Sequence, residues 1–250
     1  LNERKVIGRR ALELVCLDDI INIGTGIPND TVGPILAEED AGECLSVTVE
    51  SGIYGGTPAA TIDFGIAVNE EALIGHDRQF EFYNGTGTDI TFMGAGELDA
   101  YGNVNATKMG DKAPGAGGFI DITSTSKKVA FCSTFTGGGL KVAFDPEEGV
   151  KILQEGKFKK LVNKVQQISY NGKLAQERGQ KMYYVTERCM FELTAEGMML
   201  VEIAKGIDLQ KDILDQMEFK PLIADDLKIM DTSIYMDGKF GLKEKILANS

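Results

Sequence analysis

One carboxylate stands out in the stretch Val47-Thr48-Val49-Glu50-Ser51-Gly52-Ile53-Tyr54-Gly55-Gly56-Thr57-Pro58. Upstream of it the chain alternates. Leu45, Val47 and Val49 fall on one face, and Cys44, Ser46, Thr48 and Glu50 on the other, the period-2 signature of a half-buried strand. Glu50 is the last side chain on the polar face, where Gly52, Gly55 and Gly56 leave room for a turn and for close approach of a ligand. In open α/β sheets ligands gather at the carboxyl ends of strands. A glutamate, with a reference pKa of about 4.3, is ionised at neutral pH and attacks without a partner base, whereas Ser and Cys need one. The competing reading is a solvated strand-end residue or a salt-bridge partner. A Ser-His-Asp system is not favoured: His76 is the only histidine, no G-x-S-x-G elbow is present, and His76 reads as a surface or turn residue.

Three further glycine-bearing stretches could serve such a carboxylate. Asn22-Ile23-Gly24-Thr25-Gly26-Ile27-Pro28-Asn29-Asp30 reads as a loop opening a short helix, with Asn29 as a cap and Gly33-Pro34 bending or restarting it. It is either an ordinary turn or a backbone cradle for an anion. Its spacing matches neither a Walker A loop nor G-x-G-x-x-G. Lys112-Ala113-Pro114-Gly115-Ala116-Gly117-Gly118-Phe119 allows N–H groups to converge on one point, as an oxyanion hole requires. Ile90 to Thr107 reads as strand, glycine-lined turn and second strand, with Asp99-Ala100-Tyr101-Gly102-Asn103 as a hairpin loop.

Glu50-Ser51-Gly52-Ile53-Tyr54-Gly55-Gly56, preceded by Asn22 to Pro28 and followed by Gly115 to Phe119, resembles the family I coenzyme A transferases. The likeness is to the catalytic, C-terminal half of acetate- or propionate-type short-chain acyl-CoA:carboxylate CoA-transferases. It runs from about the first helix to Asp231. It implies an α/β fold, an open mostly parallel sheet flanked by helices (NagB/RpiA-like), with a C-terminal β-rich portion. It implies a catalytic, beta-type domain over 1–231, a tail over 232–250, and an alpha-type N-terminal half, or alpha subunit, supplied from elsewhere. Glu50 is then the nucleophile that carries CoA as a glutamyl thioester, in ping-pong fashion, with Gly117 or Gly118 donating to the acyl oxygen. Gly24, Thr25, Gly26, Ile27, Pro28, Asn29, Gly94, Gly96, Asn103, Gly115 and Lys141 would contact coenzyme A. Coenzyme A enters as substrate, with no permanently bound cofactor and no metal. The partners implied are acyl-CoA, short carboxylic acids and copies of the same chain in a homo-oligomer. A thioester hydrolase using the same glutamate and a non-catalytic CoA- or sugar-phosphate-binding domain remain as alternatives.

The elements that must position these residues follow from pattern. The 250 residues carry 43% hydrophobic and 26% charged side chains, ordinary for one large globular domain or two small ones. No apolar run reaches membrane-span length and no signal peptide is visible, so the expectation is cytoplasmic. The net charge of −12 argues against nucleic-acid binding, and obliges local donors to hold an anionic ligand. Cys16, Cys44, Cys132 and Cys189 are far apart, without a C-x-x-C pair, and read as buried thiols. The opening at Leu1 without Met reads as a piece of a longer protein. A helix is expected over Arg4 to Leu17, with Asn2 and Glu3 capping it. Strands are expected at Phe80–Tyr83, Ile120–Thr123, Val129–Phe135, Leu140–Phe144, 151–153, around 162–168, 182–186, 189–193 and 198–203. Short helices are expected over Leu174–Gln180, over Leu209–Met217 with Asp208 as cap, and over Leu242–Leu247 in a surface tail. Glu187 and Arg188 read as a structural ion pair.

Overall fold

The structure, a computed structural model, describes residues 1–248. Ten strands form one sheet: β1 (Ile20–Ile23), β2 (Ser46–Val49), β3 (Ile53–Tyr54), β4 (Ala72–Leu73), β5 (Ile90–Gly94), β6 (Lys128–Cys132), β7 (Lys181–Val185), β8 (Cys189–Thr194), β9 (Gly197–Ile203) and β10 (Leu222–Ile229). Their spatial order is β10-β9-β8-β7-β6-β5-β1-β2-β3-β4. The block β7-β6-β5-β1-β2 is parallel throughout. The flank β2-β3-β4 is antiparallel. On the other side β7-β8-β9 is an antiparallel meander and β10 returns parallel to β9. The expected mostly parallel sheet with a β-rich C-terminal portion is therefore present.

Helices cover both faces, and strand alternation sorts the core between them. Ile21, Ile23, Val47, Ile90, Phe92, Ala130 and Cys132 pack under α1 (Glu3–Leu12) and α2 (Ile27–Glu38). Met93, Val129, Phe131, Met182 and Tyr184 face α3 (His76–Gly85) and α4 (Phe119–Thr125). The central strands are buried on both faces, which is why they read as apolar runs. The start of α1 is capped as expected, with Asn2 Oδ1 accepting from Lys5 N at 2.9 Å. It ends at Leu12, five residues early, because the chain must turn through Asp18 at positive φ to enter β1.

Several local expectations are overturned by tertiary packing. Phe80–Tyr83 lies inside α3 and Ile120–Thr123 inside α4, not in strands. In α3 the aromatic β-propensity yields to a helical face, Gln79 and Tyr83 buried with Phe80 beside them, that packs on α4 and, through Tyr83, reaches Thr48 of β2. In α4 the Thr123 and Ser126 hydroxyls return to the carbonyls of Phe119 and Ile122, which satisfies these residues within the helix. Gly33-Pro34 does not break α2; a Cβ at Gly33 would meet Pro58 O at 2.8 Å, so the glycine serves close packing. The run 162–168 forms no strand. Residues 209–216 make a π turn and a 3-10 turn rather than one helix, although Asp208 does accept from Lys211 N. Cys16 is exposed, unlike the other three thiols. Glu187 and Arg188 form a fully buried pair at 2.7 Å, whose carboxylate also accepts from Phe135 N.

The segment after Asp231 is not a surface tail. Ile234, Tyr235, Phe240, Leu242 and Ile246 belong to the core beneath α1. The buried Arg9 guanidinium donates to the carbonyls of Ile234, Met236 and Gly238 and lies 5.1 Å from the Phe240 ring centroid. The buried carboxylate of Glu39 accepts from the N–H groups of Phe240, Gly241 and Leu242, capping α6 (Leu242–Ala248). Asn249 and Ser250 lie outside the described residues. Truncating Phe240 to Ala is expected to cost about 3–5 kcal/mol, the usual range for a buried phenylalanine. Urea denaturation reads this directly, and a loss under 1 kcal/mol would show that the segment lies outside the core.

Candidate active site

The site arises where the sheet changes direction. From β1 the chain crosses through α2 to β2 on one side, then passes to β5 on the other. The three strands are parallel, so the loops leaving them meet at one edge, the switch point where open sheets bind ligands. A cavity of about 480 Å³ lies there, within the range of small-molecule sites. It is lined by Thr25 and Gly26 after β1, Glu50 after β2, Met93 to Gly96 at the end of β5, and Pro114 to Phe119 leading into α4, with Ala106 and Met109 closing it.

Glycine is required at particular points of this wall. A Cβ at Gly118 would meet Phe80 Cζ at 2.6 Å and Glu50 Oε2 at 2.9 Å, so the carboxylate oxygen rests against the Gly118 backbone. A Cβ at Gly24 would strike Met93 Sδ at 2.6 Å and Phe92 O at 2.9 Å, while Gly24 N–H continues the sheet by donating to Phe92 O at 2.8 Å. Gly115 and Gly117 are needed for a different reason: each has positive φ, and open space surrounds them. Gly117 and Gly118 N–H groups donate no hydrogen bond among the described residues.

Glu50 is mostly out of water. Burial raises its carboxyl above the usual carboxylate range, and His76 is the charged group that opposes this. Among the described residues the carboxylate accepts no hydrogen bond and joins no ion pair. Its base is firm. Thr48, two residues earlier on the same face, donates to Ile21 O at 2.8 Å and lies 3.0 Å from the Tyr83 hydroxyl. Tyr83 donates to Asn22 Oδ1 at 2.9 Å, and Asn22 Nδ2 donates to Thr91 Oγ1 at 3.0 Å. This buried polar ladder ties β2, β1 and β5 to α3 directly beneath the carboxylate. Burial, with the Glu50 charge adding to it, holds the Tyr83 phenol protonated.

Of the residues singled out in the sequence, Thr25, Gly26, Glu50, Gly94, Gly96, Gly115, Gly117 and Gly118 line this one cavity. Others do not. Gly24 is sheet backbone; Ile27 and Pro28 are buried at the start of α2; Asn29 is turned away, donating to Thr61 O at 3.2 Å. Asn103 holds a neighbouring loop, donating to Asp99 Oδ2 and accepting from Gly172 N. The asparagine that shapes the wall is Asn105, whose side chain binds Glu97 and Lys108 and whose carbonyl accepts from Gly96 N. Lys141 projects to solvent from the hairpin of Lys141–Asp145 and Gly149–Gln154, on the exposed phase of its strand. Sequence reasoning missed Met93, Met109, Phe119 and Phe80. The i, i+4 spacing of His76 and Phe80 was the available signal for the last. Among the described residues no group of three or more His, Cys, Asp or Glu could hold a metal ion, and no helix is long and apolar enough to cross a membrane.

The fold and site define an α/β protein whose switch-point cleft is built from glycine backbone around a single carboxylate. No family model matches the chain. Among curated proteins it is 43% identical over 241 residues to acetate CoA-transferase YdiF of Escherichia coli strain K12, covering 96% of this chain and 45% of that one. It is 43% identical over 248 residues to caffeate CoA-transferase of Acetobacterium woodii, covering 97% and 47%. The crystal structure of an acyl-CoA transferase (YdiF) from E. coli O157:H7, a thioester complex with CoA, matches with a TM-score of 0.89 at 41% identity, over 96% of this chain and 45% of that one. Over the stretch they share, the chain is similar to these coenzyme A transferases in sequence and in fold. It spans about half the length of the curated relatives it matches.

A neutral replacement of Glu50 is expected to stabilise the fold. With its folded-state pKa raised, the carboxylate binds protons more tightly in the folded chain, so its ionisation disfavours folding. That penalty is absent below the ordinary carboxylate range, builds as pH rises from it, and is complete above the raised value. Glu50→Gln should therefore gain on the order of 1 kcal/mol at pH 7 and nothing at pH 3. Thermal unfolding at both pH values checks this; a less stable variant at pH 7 contradicts it.

Proposed function

We propose that the domain transfers coenzyme A between a short-chain acyl-CoA and a carboxylic acid, with Glu50 as covalent carrier. The observation that supports this best is an unpaired, half-desolvated carboxylate resting on the Gly118 backbone inside a glycine-lined cleft. In the first step a Glu50 oxygen attacks the acyl carbonyl and CoA leaves as thiolate, giving a mixed anhydride. The thiolate then attacks the Glu50 carbonyl, releasing the acid as its carboxylate and leaving a glutamyl-CoA thioester. An acceptor carboxylate reverses the sequence. Every step exchanges one anion for another, so no proton transfer is needed. This accords with a site whose carboxylate has no base hydrogen-bonded to it.

The free amides of Gly117 and Gly118 are the donors proposed for the developing oxyanion. One such donor is worth roughly 2.7–4 kcal/mol of barrier. Desolvation makes the Glu50 carboxylate a more basic nucleophile, with a cost: the rate falls as pH drops through the raised Glu50 pKa, at higher pH than for a solvated glutamate. The thioester described for the E. coli O157:H7 relative is consistent with this route. Because the chain spans less than half of its relatives' length, we assign the rest of the acyl pocket to a complementary half, and exchange to the two together.

The test is to incubate the chain and its complementary half with acyl-CoA and trap the adduct with hydroxylamine or borohydride. Label is expected on the peptide containing Glu50. Glu50→Ala should lose exchange by several orders of magnitude, as for removal of other covalent nucleophiles. Gly118→Ala should lose about 100-fold by displacing the carboxylate. Label elsewhere, or near wild-type exchange in Glu50→Ala, would overturn the assignment. Product analysis without an acceptor acid separates transfer from hydrolysis.

A further inference from the structure

Met109 is a large apolar side chain left 38% exposed on the wall of the active-site cavity. Its backbone is nonetheless held in a polar frame. The fully buried side chain of Asn105 accepts through Oδ1 from Thr107 N at 3.2 Å and Lys108 N at 3.1 Å. Its Nδ2 donates to Lys108 O at 2.5 Å and to Glu97 Oε2 at 2.7 Å. The same Glu97 oxygen accepts from Gln166 N at 2.8 Å. The Gln166 amide then clasps Gly110 from both sides, accepting from its N–H and donating to its carbonyl, each at 2.9 Å. Gly110 turns at positive φ, and Met109 and Lys112 exchange backbone hydrogen bonds at 2.8 and 3.0 Å. The turn so fixed lays the Met109 thioether on Gly96, where a Cβ would run into its methyl and lie 2.5 Å from its sulfur.

We propose that Met109 is the specificity-determining residue of the cavity, the wall against which the hydrocarbon chain of the acyl group is measured. That role deepens the transfer reading and rests on it. With the acyl carbonyl between Glu50 and the Gly117 and Gly118 amides, the chain behind the carbonyl extends into the rest of the cavity. Apart from Thr25 and Glu50, every residue lining that cavity is a glycine or apolar. The amides on the Met109 side are already used: Gly96 N donates to Asn105 O, Met109 N to Lys112 O and Gly110 N to Gln166 Oε1. An amide of the pantetheine arm placed there would lose its water without replacement, a cost that hydrocarbon does not meet. Met93, the other methionine on the wall, is buried on β5 with its sulfur against Gly24, and is a fixed surface. Met109 is held through its backbone, and its side chain is unbranched and partly exposed. It yields a little to a longer chain, so the limit on acyl length is soft.

The test compares kcat/KM for acetyl-CoA and hexanoyl-CoA with one acceptor acid, in the chain assembled with its complementary half. The ratio of the two does not depend on the fraction of active protein, so a variant that merely folds poorly leaves it unmoved. Met109→Ala should raise the hexanoyl-to-acetyl ratio about tenfold, the lower end of what a change of one methylene in an apolar pocket gives. Met109→Phe should lower it. A ratio unmoved in both variants overturns the proposal, and so does a shift in the same direction in both. Equal losses with the two acyl-CoAs would place Met109 against CoA itself and also overturn it. Labelling of Glu50 by acetyl-CoA is scored in parallel. Normal label with an unmoved ratio removes the role of Met109 alone, whereas no label in the wild type overturns the transfer reading and the role of Met109 with it.

Discussion

A carboxylate held partly out of water, with no hydrogen bond or ion pair among the described residues, is the constraint on which the site depends. Such a group lowers stability, and a fold keeps it only where neighbouring structure leaves no alternative. Here the neighbouring structure is the ladder Thr48, Tyr83, Asn22 and Thr91, which fixes the end of β2 against β1, β5 and α3. Glu50 extends from that fixed end by one more step of the same strand face. The ladder's own polar groups are satisfied among themselves, so none competes for the carboxylate.

The glycines supply the complementary half of the arrangement. Side chains around Glu50 would either pair with it or shield it, and backbone does neither. Gly118 admits the carboxylate oxygen to van der Waals contact with the main chain, and Gly117 reaches its position through a positive φ. The acidic chain can in this way hold an anionic ligand without a basic patch, because the donors are amides, whose partial charges do not add to the net −12. Parallel pairing makes the convergence possible. Three loops that are 24 to 96 residues along the chain reach one cavity because β1, β2 and β5 end at the same edge.

The remaining architecture steadies this edge from a distance. Arg9 and Glu39 hold the last stretch of chain against α1 and α2, and α2 begins at the cavity wall with Gly26. Glu187 and Arg188 do comparable work beyond β7, tying Phe135 and Glu155 to the meander. Neither cluster opens onto the cavity.

The sequence by itself determined the strand leading to Glu50, the glycine loops, the meander from β7 to β9 and the likeness to coenzyme A transferases, because each depends on spacing along the chain. Alternation placed Glu50 on the polar face of β2 with Thr48, and that is where it lies. Tertiary structure alone decided what depends on partners remote in sequence. It made helices of Phe80–Tyr83 and Ile120–Thr123, whose aromatic and β-branched residues prefer strands until a sheet face is available to pack on. It buried the last segment under α1, since a short apolar stretch shows a core face only when Arg9 and Glu39 are there to meet it. It also separated Asn103, Asn29 and Lys141 from the cavity and brought Phe80 against the Gly118 backbone at its wall. Which side of a loop or strand meets a cleft is set by packing, and a linear pattern carries no record of it.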